Sequence, residues 1–186
     1  MRFIMSLLFI AFASATMAAP QQYAVDPANT DVGFTYIFGE KPIHGTFPDY
    51  DIDVAIDFGD VSNSTVLVAL KTQTATGGFI FGTQAMRSKK ILNARAFPAI
   101  TFKSTSVTGG GDTAQINGDI TIRGVTNPLT LTAKLFRPNG TTANDLDDLT
   151  LKITGTVDRF AFGADGYADE VGAALEITID AAIKKQ

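Results

Sequence analysis

The sequence predicts an all-β protein of about eight antiparallel strands, either closed into a barrel or folded into a sandwich. Apolar and polar residues alternate repeatedly along the 186-residue chain, and this period-two pattern is typical of half-buried strands. Glycine, proline and asparagine, which turns require, separate the alternating runs. Periodicity alone does not separate the barrel from the sandwich.

The first 18 residues are expected to be a secretory signal peptide rather than part of the fold. Arg2 supplies a positive charge, residues 3–15 are apolar, and small residues follow up to Ala18. This pattern is typical of a cleaved export signal, and the apolar run is shorter than the ~20 residues that a spanning helix needs. Cleavage after Ala18 leaves one mature domain, residues 19–186, which has no second apolar segment long enough to span a bilayer.

Eight alternating runs are expected to form the strands. In residues 51–58 every second side chain is apolar, and three aspartates lie between them. One face of such a strand is buried and the other is solvated. The runs cover residues 32–38, 51–58, 66–71, 100–103, 116–122, 129–133, 149–154 and 175–180.

The stretch from residue 82 to residue 98 is the exception to the strand pattern. It lacks alternation, residues from Thr83 to Lys90 are good helix formers, and Pro98 would end any helix before it. We therefore predict one or two short helical turns near residues 83–96, lying over one end of the sheet.

Composition excludes several classes of function. The chain has no cysteine and one histidine, His44, so zinc–thiolate sites, thiol catalysis and multi-histidine metal sites are excluded. The formal net charge is −4 and becomes −5 when Arg2 is removed, with no basic patch of the kind that binds nucleic acid. No serine lies in a nucleophile elbow, and the aspartates fall on polar strand faces. A paired-carboxylate hydrolase stays open by composition, but we do not expect an enzyme.

Several motifs resemble signatures of the YceI-like family. They are "FPAITFKST" (97–105), "INGDITIRGVTNPLTL" (116–131) and "DRFAFG" (158–163), which occur in the order and spacing of that family. The segments "YAVDPANTDVGF" (23–34) and "HGTF" (44–47) resemble its opening, and "ALEITIDA" resembles its ending. The resemblance covers essentially the whole mature chain.

The resemblance implies a lipocalin-like, eight-stranded antiparallel β-barrel exported to the bacterial periplasm. It further implies binding and transport or storage of an isoprenoid lipid inside the barrel: a polyprenyl chain, a polyprenyl phosphate or an isoprenoid quinone. Such a protein needs no cofactor besides this ligand, and transient contact with membranes is compatible with its role. The alternative is a non-catalytic structural or protein-interaction module of the periplasm that has the same fold and no lipid.

The inward faces of the strands supply the candidate ligand contacts. For each of these side chains alone an ordinary core role is the favoured interpretation, and only the whole set on this fold points to a ligand. The candidates are Phe34, Tyr36, Phe38, Ile52, Val54, Ile56, Phe58, Ile100, Phe102, Ile120, Ile122, Leu131, Leu151, Ile153, Ile177 and Ile179.

The predicted helical turns carry the candidate head-group contacts, Arg87, Lys89 and Lys90. They could receive a phosphate, although a solvated helix face explains them more simply. The family usually has an aspartate and a histidine before this helix, where this chain has Thr83 and Ala85, so the identity of the head group stays open. Arg123 and Arg159 lie beside turns and are expected to form structural ion pairs or carbonyl contacts.

Overall fold

The computed structural model describes residues 19–186, and the predicted signal peptide lies outside them. Within that range the chain forms ten strands, one α-helix and three short 3₁₀ helices. The elements are β1 (Gln21–Val25), a 3₁₀ helix (Pro27–Asn29), β2 (Asp31–Phe38), β3 (Lys41–Thr46), β4 (Tyr50–Ile56), a 3₁₀ helix (Val61–Asn63), β5 (Thr65–Lys71), α1 (Ile80–Arg87), β6 (Ala99–Gly110), β7 (Thr113–Ile122), β8 (Val125–Phe136), β9 (Asp148–Asp158), a 3₁₀ helix (Arg159–Phe162) and β10 (Ala174–Lys185).

Eight of the strands close into a ring, which confirms the predicted antiparallel barrel. From β4 to β10 each strand pairs with the next along the chain. The ring closes through β1, which pairs with β4 on one side and with β10 on the other. Tyr23 of β1 lies opposite Val54 and Lys185 in these two pairings.

The remaining strands, β2 and β3, extend the sheet beside β10. Phe34 of β2 lies opposite Ile177 of β10. One edge of β10 therefore pairs with β2 along its N-terminal part and with β1 along its C-terminal part. The sequence interpretation included β2 among its eight strands and missed both β1 and β3. Their patterns explain this, because β1 buries only Tyr23 and β3 is interrupted by Pro42.

A two-residue turn joins β7 to β8 in the segment "TIRGVT". Arg123 and Gly124 both have left-handed backbone angles, with φ of 53° and 78°, and Ile122 pairs directly with Val125. Turns with two left-handed residues match the right-handed twist of antiparallel strands. Arginine is unusual at the first of these positions, and its side chain has a separate role described below.

The helical prediction near residues 83–96 was correct in kind but displaced. Helix α1 begins at Ile80 and ends at Arg87, and hydrogen-bonded turns follow it up to Phe97. The sequence interpretation began the helix too late because Gly82 lies in the first turn of α1 and glycine is a poor helix former. The structure requires it there, since a Cβ on Gly82 would lie 2.7 Å from the carbonyl oxygen of Gly77.

The barrel interior has two unlike halves. Where β1 closes the ring, a plug of apolar side chains fills the interior, built from Tyr23, Leu135, Leu149, Ala181 and Ile183. Ile183 is 1% exposed, and the Tyr23 hydroxyl donates to the Leu146 carbonyl oxygen at 2.8 Å. The opposite half is hollow and lies beneath α1.

The two halves predict different responses to truncation. Ile183→Ala in the plug should lower the free energy of unfolding by about 2–5 kcal/mol, because it opens a void in a filled core. Ile120→Ala in the hollow half should cost less, since part of that side chain has no packing partner to lose. Urea unfolding of the mature domain measures both. Equal losses would contradict the division into two halves.

Candidate functional site: a cavity within the barrel

The hollow half of the barrel contains a cavity of about 600 Å³. Its walls are the inward-facing side chains of the strands, nearly all of them apolar. The wall residues are Val32, Phe34, Tyr36, Phe38, Val68, Leu70, Ile100, Phe102, Ile120, Ile122, Leu129, Leu131, Val157, Leu175, Ile177 and Ile179, joined by Phe47 from the loop after β3.

Two segments cover the cavity. One is α1 with its flanking residues, which contributes Phe79, Phe81, Met86, Ile91 and Leu92. The other connects β9 to β10 and contributes Ala164, Tyr167 and Val171. The first segment meets the end of β2, where the rings of Phe79 and Phe38 lie 5.9 Å apart.

A single buried arginine holds the second cover segment. Arg159 is 4% exposed and lines the cavity. Its Nε donates to the Gly172 carbonyl at 2.9 Å, its Nη2 donates to the Val171 carbonyl at 2.6 Å, and its Nη1 donates to the carbonyls of Gly166 and Ala164. Burial lowers the pKa of this guanidinium, but arginine remains charged in proteins. No carboxylate forms an ion pair with it among residues 19–186.

Two further arginines hold the first cover segment in the same way. Arg87 donates to the carbonyls of Ala75 at 2.8 Å and Thr74 at 3.0 Å. Arg123, on the left-handed turn, donates to the carbonyls of Lys89 and Ile91. Both arginines therefore donate hydrogen bonds to backbone carbonyls that have no partner in the sheet. The bonds of Arg123 explain why an arginine stands at the first position of the β7–β8 turn.

Few polar side chains reach the cavity, and three of these six are hydrogen-bonded within the protein. The Tyr36 hydroxyl donates to the Gly77 carbonyl at 2.8 Å, and burial raises the pKa of this tyrosine. Ser88 Oγ donates to the Ala85 carbonyl at 2.6 Å. Gln84, Tyr167 and Glu170 complete the polar lining together with Arg159. The site therefore suits an apolar ligand better than a polar one.

The structure brings together ten of the sixteen predicted interior residues. These ten line the cavity: Phe34, Tyr36, Phe38, Ile100, Phe102, Ile120, Ile122, Leu131, Ile177 and Ile179. The other six lie elsewhere in the barrel. Ile56, Phe58 and Leu151 pack against the plug, and Val54 is buried in β4. Ile52 and Ile153 pack against the buried cluster that includes the cavity-wall residues Phe34 and Phe102.

None of the predicted head-group contacts lines the cavity. The Arg87 guanidinium donates to the carbonyls of Ala75 and Thr74, and Lys89 is exposed at the surface. The Lys90 ammonium lies 5.1 Å from the centre of the Tyr167 ring. Arg159, which was expected to make a structural contact and does so, is the cation that reaches the cavity.

Some of the lining could have been found from the sequence. Val32, Leu129 and Leu175 lie two positions from another lining residue of the same strand, and period-two alternation places such pairs on one face. The residues of the two cover segments carry no comparable signal, because their backbone is irregular and their contacts are long-range.

Replacing the Arg159 guanidinium should loosen the second cover segment, between β9 and β10, selectively. In Arg159→Lys a single ammonium replaces the planar fork and cannot reach four carbonyls. Each buried carbonyl left without a donor costs about 1–3 kcal/mol. Hydrogen exchange should accelerate in residues 163–172 and stay slow in β6 to β8. Arg137→Lys, which alters an ion pair with Asp112 at the other end of β8, is the matched control. Unchanged exchange in residues 163–172 would contradict this role.

Comparison with known sequences identifies the family of the chain. The sequence model described as the YceI-like domain matches residues 23–184. Protein YceI from Escherichia coli O157:H7 is 34% identical over 138 residues, which are 70% of this chain and 72% of that protein. Protein YceI from Salmonella arizonae is 39% identical over 98 residues, which are 53% and 51% of the two chains.

Solved structures share the fold at lower sequence identity. Burkholderia cenocepacia BcnA has a TM-score of 0.76 at 18% identity, over 86% of this chain and 99% of its own. The Campylobacter jejuni YceI protein has a TM-score of 0.66 at 16% identity, over 76% and 84%. A polyisoprenoid binding domain from Saccharophagus degradans, implicated in plant cell wall breakdown, has a TM-score of 0.66 at 8% identity, over 89% and 99%. These likenesses establish the barrel fold.

Proposed function

Because this chain belongs to the YceI-like family, we propose that it binds an isoprenoid lipid inside its barrel and carries or stores it in the periplasm. The single observation that carries the proposal is the apolar cavity. Its volume of about 600 Å³ falls within the roughly 300–1,000 Å³ of small-molecule sites. The predicted signal peptide supports the periplasm as the location.

The chemistry of the cavity wall favours a long apolar chain. Burying such a chain stabilises the complex by roughly 25 cal/mol for each Å² of apolar surface removed from water, and this needs no polar partner along the chain. The strand walls offer almost no polar groups. A polyisoprenoid is the class of ligand named for the Saccharophagus degradans domain of the same fold, which supports this class here.

The position of the polar groups favours a head group beneath the cover. Gln84, Ser88 and Glu170 lie in or beside the cover segments, and Arg159 adds a positive charge there. The plug blocks the other end of the barrel. We therefore orient the lipid with its chain among the strand walls and its head group toward α1.

The histidine of the chain and its acidic partner lie away from the cavity. His44 pairs with Asp31 at 3.3 Å, and both side chains are about half exposed. Neither is among the described residues that line the cavity. Within residues 19–186 no group of three or more histidines and acids is placed to hold a metal ion.

The direct test is native mass spectrometry of the mature protein from periplasm, followed by organic extraction. A bound mass that extracts as a polyprenyl compound or quinone supports the proposal. If the protein is empty and also fails to bind added polyprenyl phosphate and ubiquinone, the alternative of an interaction module without a lipid takes its place. The hollow interior argues against that alternative, since a structural module has no need of it.

Adjacent positions of β6 provide a matched pair of variants. Ile100 is 7% exposed and lines the cavity, whereas Thr101 is exposed on the outer face. Ile100→Trp should occupy part of the cavity and weaken isoprenoid binding at least tenfold, while Thr101→Trp should leave binding unchanged. Titration with polyprenyl phosphate measures both, and circular dichroism confirms that both fold. Equal binding by the two variants would argue against the cavity as the site.

A further inference from the structure

The mouth of the cavity carries an exposed apolar patch at the start of α1. Ile80 and Phe81 are 74% and 77% exposed, and their neighbours Phe79 and Phe38 are 39% and 43% exposed. We call these four residues the mouth patch. Large apolar side chains grouped on a surface mark a site of interaction with another protein or a membrane.

The mouth patch continues into the cavity. Phe38, Phe79 and Phe81 are exposed at the surface and also line the cavity wall, and the first two are in ring contact. Ile80 projects outward and takes no part in the lining. An apolar ligand could therefore move between the cavity and whatever covers the patch without exposure to water.

The cover segment with α1 is basic in an otherwise acidic protein. Between Asp60 and Asp112 the sequence has no acidic residue and six lysines or arginines, although the whole chain has a net charge of −4. Four of the six, Arg87, Lys89, Lys90 and Arg95, follow the mouth patch and are exposed. None of the four forms an ion pair among the described residues.

The acidic part of the rim lies on the other cover segment. Glu170 lines the cavity, and its carbonyl oxygen accepts from the Gly39 amide at 2.8 Å, which places the β2–β3 turn and Glu40 beside it. The mouth is therefore asymmetric, with its unpaired cations on the α1 side. An anionic surface would be approached from that side.

We propose that the α1 end of the barrel docks on the surface of an anionic lipid bilayer, with the mouth patch inserted at the interface. Apolar side chains bordered by lysine and arginine are the composition of helices that lie in a membrane interface, and unpaired cations are attracted to acidic phospholipids. The inference rests on the proposed function, because it supplies the route by which an isoprenoid enters the cavity. No helix within residues 19–186 is long and apolar enough to cross a membrane.

Tryptophan fluorescence tests the docked orientation. The chain has no tryptophan, so Ile80→Trp introduces a single probe at the mouth patch. Its emission should shift to shorter wavelength when vesicles of phosphatidylcholine and phosphatidylglycerol in equal parts are added. Leu67→Trp on the barrel wall, where Leu67 is 44% exposed, should not shift. The inference is overturned if neither probe shifts, or if both shift equally.

Co-sedimentation with the same vesicles tests the charges. Lys89→Glu combined with Arg95→Glu should reduce vesicle binding about fivefold or more for each cation reversed, and added salt should weaken binding by the unaltered protein. Lys103→Glu on β6 is the control, since Lys103 is exposed and lies on the barrel wall. Equal binding to vesicles of phosphatidylcholine alone would overturn the requirement for an anionic surface.

The vesicle experiments use lipid-free protein and contain no isoprenoid, so they separate the two proposals. Isoprenoid binding without vesicle binding would overturn docking and leave the proposed function intact. Vesicle binding without isoprenoid binding would do the reverse. Ile80→Ser serves as the decisive variant, because it should weaken vesicle binding about tenfold or more while isoprenoid binding in solution stays unchanged.

Discussion

The architecture depends on how β10 shares its edge. Its C-terminal part pairs with β1, which continues the ring to β4, whereas its N-terminal part pairs with β2. The barrel is therefore closed by strands at one end only. At the other end β3 has no further strand partner within residues 19–186, and a bridge between Thr46 and Thr76 joins it to the segment that leads into α1. Closure at the first end fills the interior with the plug, and the lack of it at the second leaves space beneath the cover.

Irregular segments can cover such a space only if their backbone polar groups find partners. Three arginines provide them, since Arg87, Arg123 and Arg159 together donate to eight carbonyl oxygens of the residues around the mouth. A guanidinium suits this task because it is planar, carries five donors and retains its charge. The cover is held by hydrogen bonds at its base, and Ile80 and Phe81 at the start of α1 remain exposed.

Alternation was sufficient to predict most of the strands, because a half-buried strand has the same period wherever it lies, whereas their closure into a barrel was predicted from the family resemblance. It could not tell the hollow half from the filled half. In β10, Ile177 lines the cavity and Ile183 belongs to the plug, yet both are isoleucines on one face of one strand. Their difference arises from partners distant in sequence. The positive charge of Arg87 was equally evident from the sequence, but its hydrogen bonds to two backbone carbonyls were not.

Ile179 stands where the two halves meet, since it lines the cavity and packs against the plug. On one side of Ile179 the residues of β10 line the cavity, and on the other side they belong to the plug. Substitutions beyond it toward Ile183 act on the free energy that keeps the chain folded, whereas those toward Leu175 act mainly on the shape of the cavity. A barrel divided in this way can change the shape of its cavity through one set of positions while another set holds its stability, so the cavity can vary without loss of the fold.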